Sequence, residues 1–135
     1  MKFTSELYSL TLISAATALM WVPYVTARMW TFGVTRAIGV PGPDYPADAP
    51  WADRARRAHL NAIENLTVFA PLVIVAALVG VSTKTTVLAA QVYVFARLAH
   101  YVIYTLGIPV VRTLAFLASS IATLGIALEV LLGAK

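Results

Sequence analysis

Two short segments concentrate the side chains capable of chemistry. The first reads Asp53-Arg54-Ala55-Arg56-Arg57-Ala58-His59-Leu60-Asn61-Ala62-Ile63-Glu64-Asn65. The second carries Arg97, His100, Tyr101 and Tyr104, with Arg112 a short way beyond. In the first, Arg54, Arg57, Asn61, Glu64 and Asn65 follow spacings of three and four, which a helix gathers into one stripe. The second segment forms a similar stripe. Guanidinium forks suit carboxylates and phosphates. One carboxylate, Glu64, cannot neutralise Arg54, Arg57, Arg97 and Arg112 together. Asp44, Asp48 and Asp53 offset some charge nearer the surface, and a cationic excess remains. That excess predicts a small anionic ligand in a polar cavity where the stripes converge. The plainer alternative is internal pairing: an Arg97–Glu64 bridge holding two helices together, with Asn61 as interhelical glue.

The elements that must position these residues are apolar. The chain of 135 residues is 60% hydrophobic and 12% charged, about half the charged fraction of a soluble domain. Lipid is the solvent this composition suits. The pattern predicts an all-α membrane protein, a single four-helix domain over 1–135, with helices near 5–32, 53–80, 86–106 and 110–132. Residues 33–52, rich in glycine and proline, read as a loop. A membrane span needs about 20 apolar residues. The second helix meets this only if its polar first half lies inside protein. Asp53 reads as its N-cap or first-turn acid, and Pro71 predicts a kink. The first run is expected to span rather than be cleaved as a leader, given its length and Glu6.

Charge sets the expected orientation. Arg28, Arg36, Arg54, Arg56, Arg57 and Arg112 flank one set of segment ends, and Lys2, Lys84 and Lys135 the other. The excess of basic residues predicts a cytoplasmic long loop, with both termini on the opposite side. Glu64 lies about 16 Å along the helix from Asp53, and Arg97 about 15 Å from the break at Gly107. Both approach the middle of a core ~30 Å thick. An ionised group at that depth needs a partner or water.

Other classes are excluded. No soluble face interleaves basic and aromatic residues, so no nucleic acid is expected. The chain has no cysteine and only His59 and His100, without zinc-ligand spacing, so no metal is expected. His59 lies off the stripe and is expected to cap or to face a neighbouring helix. Tyr93 and Tyr101 read as packing residues, and Arg36 and Arg56 as solvated or at headgroups.

Arg54-x-x-Arg57-Ala58-His59-x-Asn61-x-x-Glu64-Asn65 resembles the second-helix signature of the MAPEG family, the membrane-associated proteins in eicosanoid and glutathione metabolism. Arg97-x-x-His100-x-x-x-Tyr104-x-x-Gly107-x-Pro109-x-x-Arg112 resembles that family's third-helix signature and the start of its fourth helix. The likeness covers nearly the whole chain. It departs from the family's eukaryotic catalysts at Leu60 and Ala62, where those often carry Arg and Asp.

The resemblance implies a homotrimer with glutathione held between neighbouring subunits. It implies that Arg28, Arg54, Arg57, Asn61, Glu64, Arg97, His100 and Tyr104 line the glutathione site, and that Arg112 is the catalytic, thiolate-stabilising residue. The activity implied is transfer of glutathione to, or reduction of, a lipophilic electrophile reached from the membrane lipids. With no cysteine in the chain, the reactive sulfur must be the cofactor's. A non-catalytic protein of the same fold, binding lipid or glutathione, is the alternative. A small four-helix exporter using Glu64 as its exchanging carboxylate is a third reading, which the arginine excess disfavours.

Overall fold

The computed structural model describes residues 3–40 and 42–133. Lys2, Pro41 and Lys135, which enter the charge and loop arguments above, lie outside the described residues. Six helices follow in order: α1 (Ser5–Leu19), α2 (Val22–Phe32), α3 (Val34–Ala37), α4 (Pro50–Leu78), α5 (Lys84–Leu106) and α6 (Pro109–Gly133), with no strand among the described residues. Four stretches are long and apolar enough to cross a membrane: Ser5–Phe32, Pro50–Leu78, Lys84–Leu106 and Pro109–Gly133. Helix α5 packs against α1, α4 and α6, most extensively against α6.

The first membrane stretch is two helices, not one. Pro23 has no N–H to give the preceding turn, so the ladder breaks at Met20 and Trp21. The Met20 N–H turns back to the Thr17 carbonyl at 3.2 Å. The Met20 carbonyl accepts a hydrogen bond from the Tyr101 hydroxyl at 2.8 Å. Just past the break, the Tyr24 hydroxyl lies 3.0 Å from His59 Nδ1. Side chains of α4 and α5 thus hold the bend, and His59 faces a neighbouring helix as expected.

The second long helix starts at Pro50, with Ala49 as its N-cap. Proline suits a first turn because its missing N–H would be unpaired there anyway. Asp53 is therefore a first-turn acid and not the cap. The helix runs unbroken through Pro71. In the expected loop, one short helix, α3, forms after Gly33 at φ +81°, and a turn follows in which the Tyr45 N–H donates to the Gly42 carbonyl at 3.0 Å.

The core is a layer of small and flat side chains. Phe69 of α4 stacks on Tyr93 of α5, with ring centroids 3.6 Å apart and planes 1° from parallel. Ile13, Val73, Ala90 and Ile126 complete this layer and are almost wholly buried. Small residues such as Ala89, Ala90 and Ala122 let helix backbones approach closely, which lipid-embedded helices need in place of a hydrophobic drive.

At the bundle end that holds Ser5 and Lys84, Glu6 is 2% exposed. Its carboxylate accepts hydrogen bonds from Ser82 Oγ at 3.0 Å and from Thr86 Oγ1. Thr86 also forms a reciprocal capping box with Thr83 at the start of α5. This ties α1 to the α4–α5 turn. Thr86→Val keeps the shape and removes the hydroxyl, leaving a buried carboxylate short of a donor. We expect it to lower stability by about 1–3 kcal/mol, read as a fall in the thermal midpoint in detergent. An unchanged midpoint would show that the clasp contributes nothing.

Candidate functional site

Helix α4 carries its polar residues on two lines, not one. At 3.6 residues per turn, positions three apart diverge by about 60°. Arg54 and Asn61, seven apart, face the bundle. Arg57 and Glu64, also seven apart, face outward. The expected single stripe is wide enough that one edge packs and the other is exposed.

The inward line meets α5 and α6. Arg54 Nε–H donates to the Thr105 carbonyl at 2.9 Å. That carbonyl belongs to the last turn of α5, whose C-terminal acceptors lack helical partners. The turn closes on Gly107 at φ +82°, and the Arg54 guanidinium lies 3.2 Å from where a Cβ on Gly107 would sit. The left-handed backbone favours glycine there, and any Cβ would also press on the Arg54 guanidinium.

Arg97 is 1% exposed. Its Nη2 donates to Asn61 Oδ1 at 2.7 Å and its Nη1 to Ser119 Oγ at 3.4 Å. Asn65 Nδ2 braces the Asn61 carbonyl at 2.8 Å. Arg97 Nε has no acceptor, and neither nitrogen nor oxygen partners the buried His100 Nδ1. His100 meets Tyr104 edge-on, with centroids 5.5 Å apart. The Arg112 guanidinium carbon lies 4.4 Å above the centre of the Tyr104 ring, a cation–π arrangement. Asn61, Arg97, Ser119, His100, Tyr104 and Arg112 therefore form one polar seam shared by α4, α5 and α6. Among the described residues, no carboxylate pairs with Arg54, Arg97 or Arg112.

Several expected partners are elsewhere. No Arg97–Glu64 bridge forms: Asn61 takes the guanidinium, and Glu64 is exposed on the outer line with no side-chain partner among the described residues. Arg57 pairs with Asp53 at 2.8 Å and is 62% exposed. Arg28 is not at the seam. It forms a two-pronged ion pair with Asp48, and its guanidinium lies 5.5 Å from the Tyr45 ring centre. Arg56 also pairs with Asp53, at 3.1 Å, and Arg36 is exposed. Of the arginines expected in one cavity, the fold brings Arg97 and Arg112 to the seam, with Arg54 at its edge. Ser119 is the member that sequence reasoning missed. It falls seven residues after Arg112 in α6, which puts both on one face.

These features define a class: a small polytopic membrane protein whose bundle holds guanidinium charge with no matching acid of its own. The model of the MAPEG family matches residues 10–132, and the chain belongs to that family. A search of curated proteins finds no match to the chain.

Proposed function

We propose that the protein is a glutathione-dependent membrane transferase acting on lipophilic electrophiles, with its site completed between protomers of a homotrimer. The observation that carries this reading is the separation of charge. Arg97 is buried and Arg112 half-buried without an acid among the described residues, while Glu64 stands on the outer face at the midpoint of α4, about 21 Å from either end. An ionised carboxylate at that depth is costly against lipid. A neighbouring protomer against this face would cover it and bring Arg57 and Glu64 toward a second copy's surface.

Glutathione fits the donor set. It carries two carboxylates and one ammonium. Arg97 Nε and His100 Nδ1 are buried polar atoms without partners, and Arg54 and Arg112 carry charge that no carboxylate of the protomer meets. Arg57 and Glu64 supply one cation and one anion on the outer line, and Glu64 suits the ammonium. Tyr104 holds Arg112 in place through its ring face. Arg28 belongs to this set only if Asp48 releases it.

A thiol of pKa about 8.5 is mostly protonated at neutral pH, and a nearby cation favours the thiolate. Arg112 stands in the first turn of α6, where backbone N–H groups and the helix dipole add to its charge. The sulfur would attack an electrophilic carbon, the leaving group would depart with the bonding pair, and the thiol proton would pass to water.

The test is a glutathione titration in nanodiscs, read as thiolate absorbance and proton release. We expect saturable thiolate formation, and Glu64→Gln should weaken glutathione binding roughly tenfold or more. Binding without thiolate would favour a non-catalytic member of the same fold. No binding would end the reading.

A further inference from the structure

A groove of about 440 Å³ lies between α1 and α5, away from the polar seam. Residues of α1 and α5 alone line it. It therefore opens on the side of this helix pair away from α4, and away from the Glu64 face. Four of its lining residues are polar: Ser5, Tyr8, Ser9 and Gln91. None of their side chains hydrogen-bonds to another described residue. Among them, Gln91 is exposed on a membrane helix, about 10 Å in from Lys84. A primary amide without a partner at that depth is unfavourable in hydrocarbon.

The groove also has a direction. Ser5, Tyr8 and Ser9 stand at the start of α1, near the membrane surface. Leu12, Val94, Phe95 and Leu98 continue it inward, and Leu98 lies about 21 Å along α5 from Lys84. Polar groups at the rim and apolar ones at depth follow the polarity of a lipid standing in its own leaflet. No charged side chain lines the groove, so the polar rim matches uncharged acceptors and not a phosphate. Serine and tyrosine hydroxyls and the Gln91 amide N–H groups can all donate to an ester carbonyl.

We propose that this groove is a binding site for one acyl chain of a membrane glycerolipid, its ester carbonyl accepting from the Gln91 amide and from one hydroxyl of the rim formed by Ser5, Tyr8 and Ser9. The inference stands apart from glutathione chemistry and does not require it.

The test uses the full chain in nanodiscs of dioleoylphosphatidylcholine containing a phosphatidylcholine with a diazirine midway along one chain. After illumination, labelled positions are mapped by mass spectrometry. We expect labels to concentrate on Leu12 and Leu98 over the exposed α5 and α6 residues Val102 and Leu124, which line no groove. Gln91→Leu should cut groove labelling roughly tenfold, as expected for one or two lost hydrogen bonds, with the thermal midpoint unchanged. Leu12→Trp, which fills the groove just inward of its polar rim, should do the same. Even labelling around the bundle, or labelling indifferent to both variants, overturns the proposal. So does disulfide formation between Tyr8→Cys and Gln91→Cys on different protomers, which would seat a second copy there instead.

Discussion

Arg112→Ala is expected to lower conjugation of a model electrophile by about 10²–10³-fold, the loss seen when one preorganised group facing developing charge is removed. The fall should lie in kcat, with a smaller change in glutathione affinity. Arg54 and Arg97 keep the charge that the carboxylates would use, whereas the sulfur would lose its cation. Arg112 is half-buried, its guanidinium lies over the Tyr104 ring, and its side chain makes no hydrogen bond or ion pair with another described residue. Its removal should therefore leave the fold intact. Two readouts separate the cases. Thiolate absorbance on adding glutathione should vanish in Arg112→Ala and return in part in Arg112→Lys, which restores charge without the planar fork. If Arg112→Ala conjugates at the wild-type rate, the thiolate is stabilised by some other group and the proposed chemistry is wrong.

The second large effect is on stability. Asn61→Leu should destabilise the bundle by about 3 kcal/mol. It removes the acceptor of the Arg97 Nη2 bond at 2.7 Å and leaves a guanidinium that is 1% exposed with only a long contact to Ser119. A buried charge stripped of its partner is far costlier than a buried pair replaced by apolar groups. Asn61→Leu combined with Arg97→Met should therefore recover much of the loss. Thermal unfolding in detergent gives the comparison. A double variant no more stable than the single one would mean that Arg97 does not depend on Asn61.

The four spans were legible because each is an apolar run bounded by glycine, proline or a polar cluster. Asn61, Arg97, His100 and Tyr104 were legible as helical spacings, and Arg112 as a charge in the first turn after the Gly107–Pro109 break. What spacing could not tell was which edge of the α4 stripe packs and which faces out, because that depends on the neighbours. The fates of Arg28 and Arg54 were hidden for a related reason. Arg28 meets Asp48 across a loop whose path no local rule sets. Arg54 meets a backbone carbonyl 51 positions away, left open by the left-handed Gly107 turn. Glu6 was noticed only as unlike a leader sequence. An acid in an apolar helix needs donors, and Ser82 and Thr86 were the hydroxyls at the matching end.

The break at Met20 and Trp21 bears on how the protein sits in bilayers of different thickness. A rigid rod must tilt or deform its surroundings when its apolar length and the hydrocarbon width disagree. Here the first crossing is articulated. Its outer half is fastened by Glu6 and its inner half rests against α4 through Tyr24 and His59. Because the two halves are anchored separately, we expect a change in tilt of Ser5–Leu19 to be taken up at Met20 and Trp21, against the Tyr101 contact, before it reaches the seam among α4, α5 and α6.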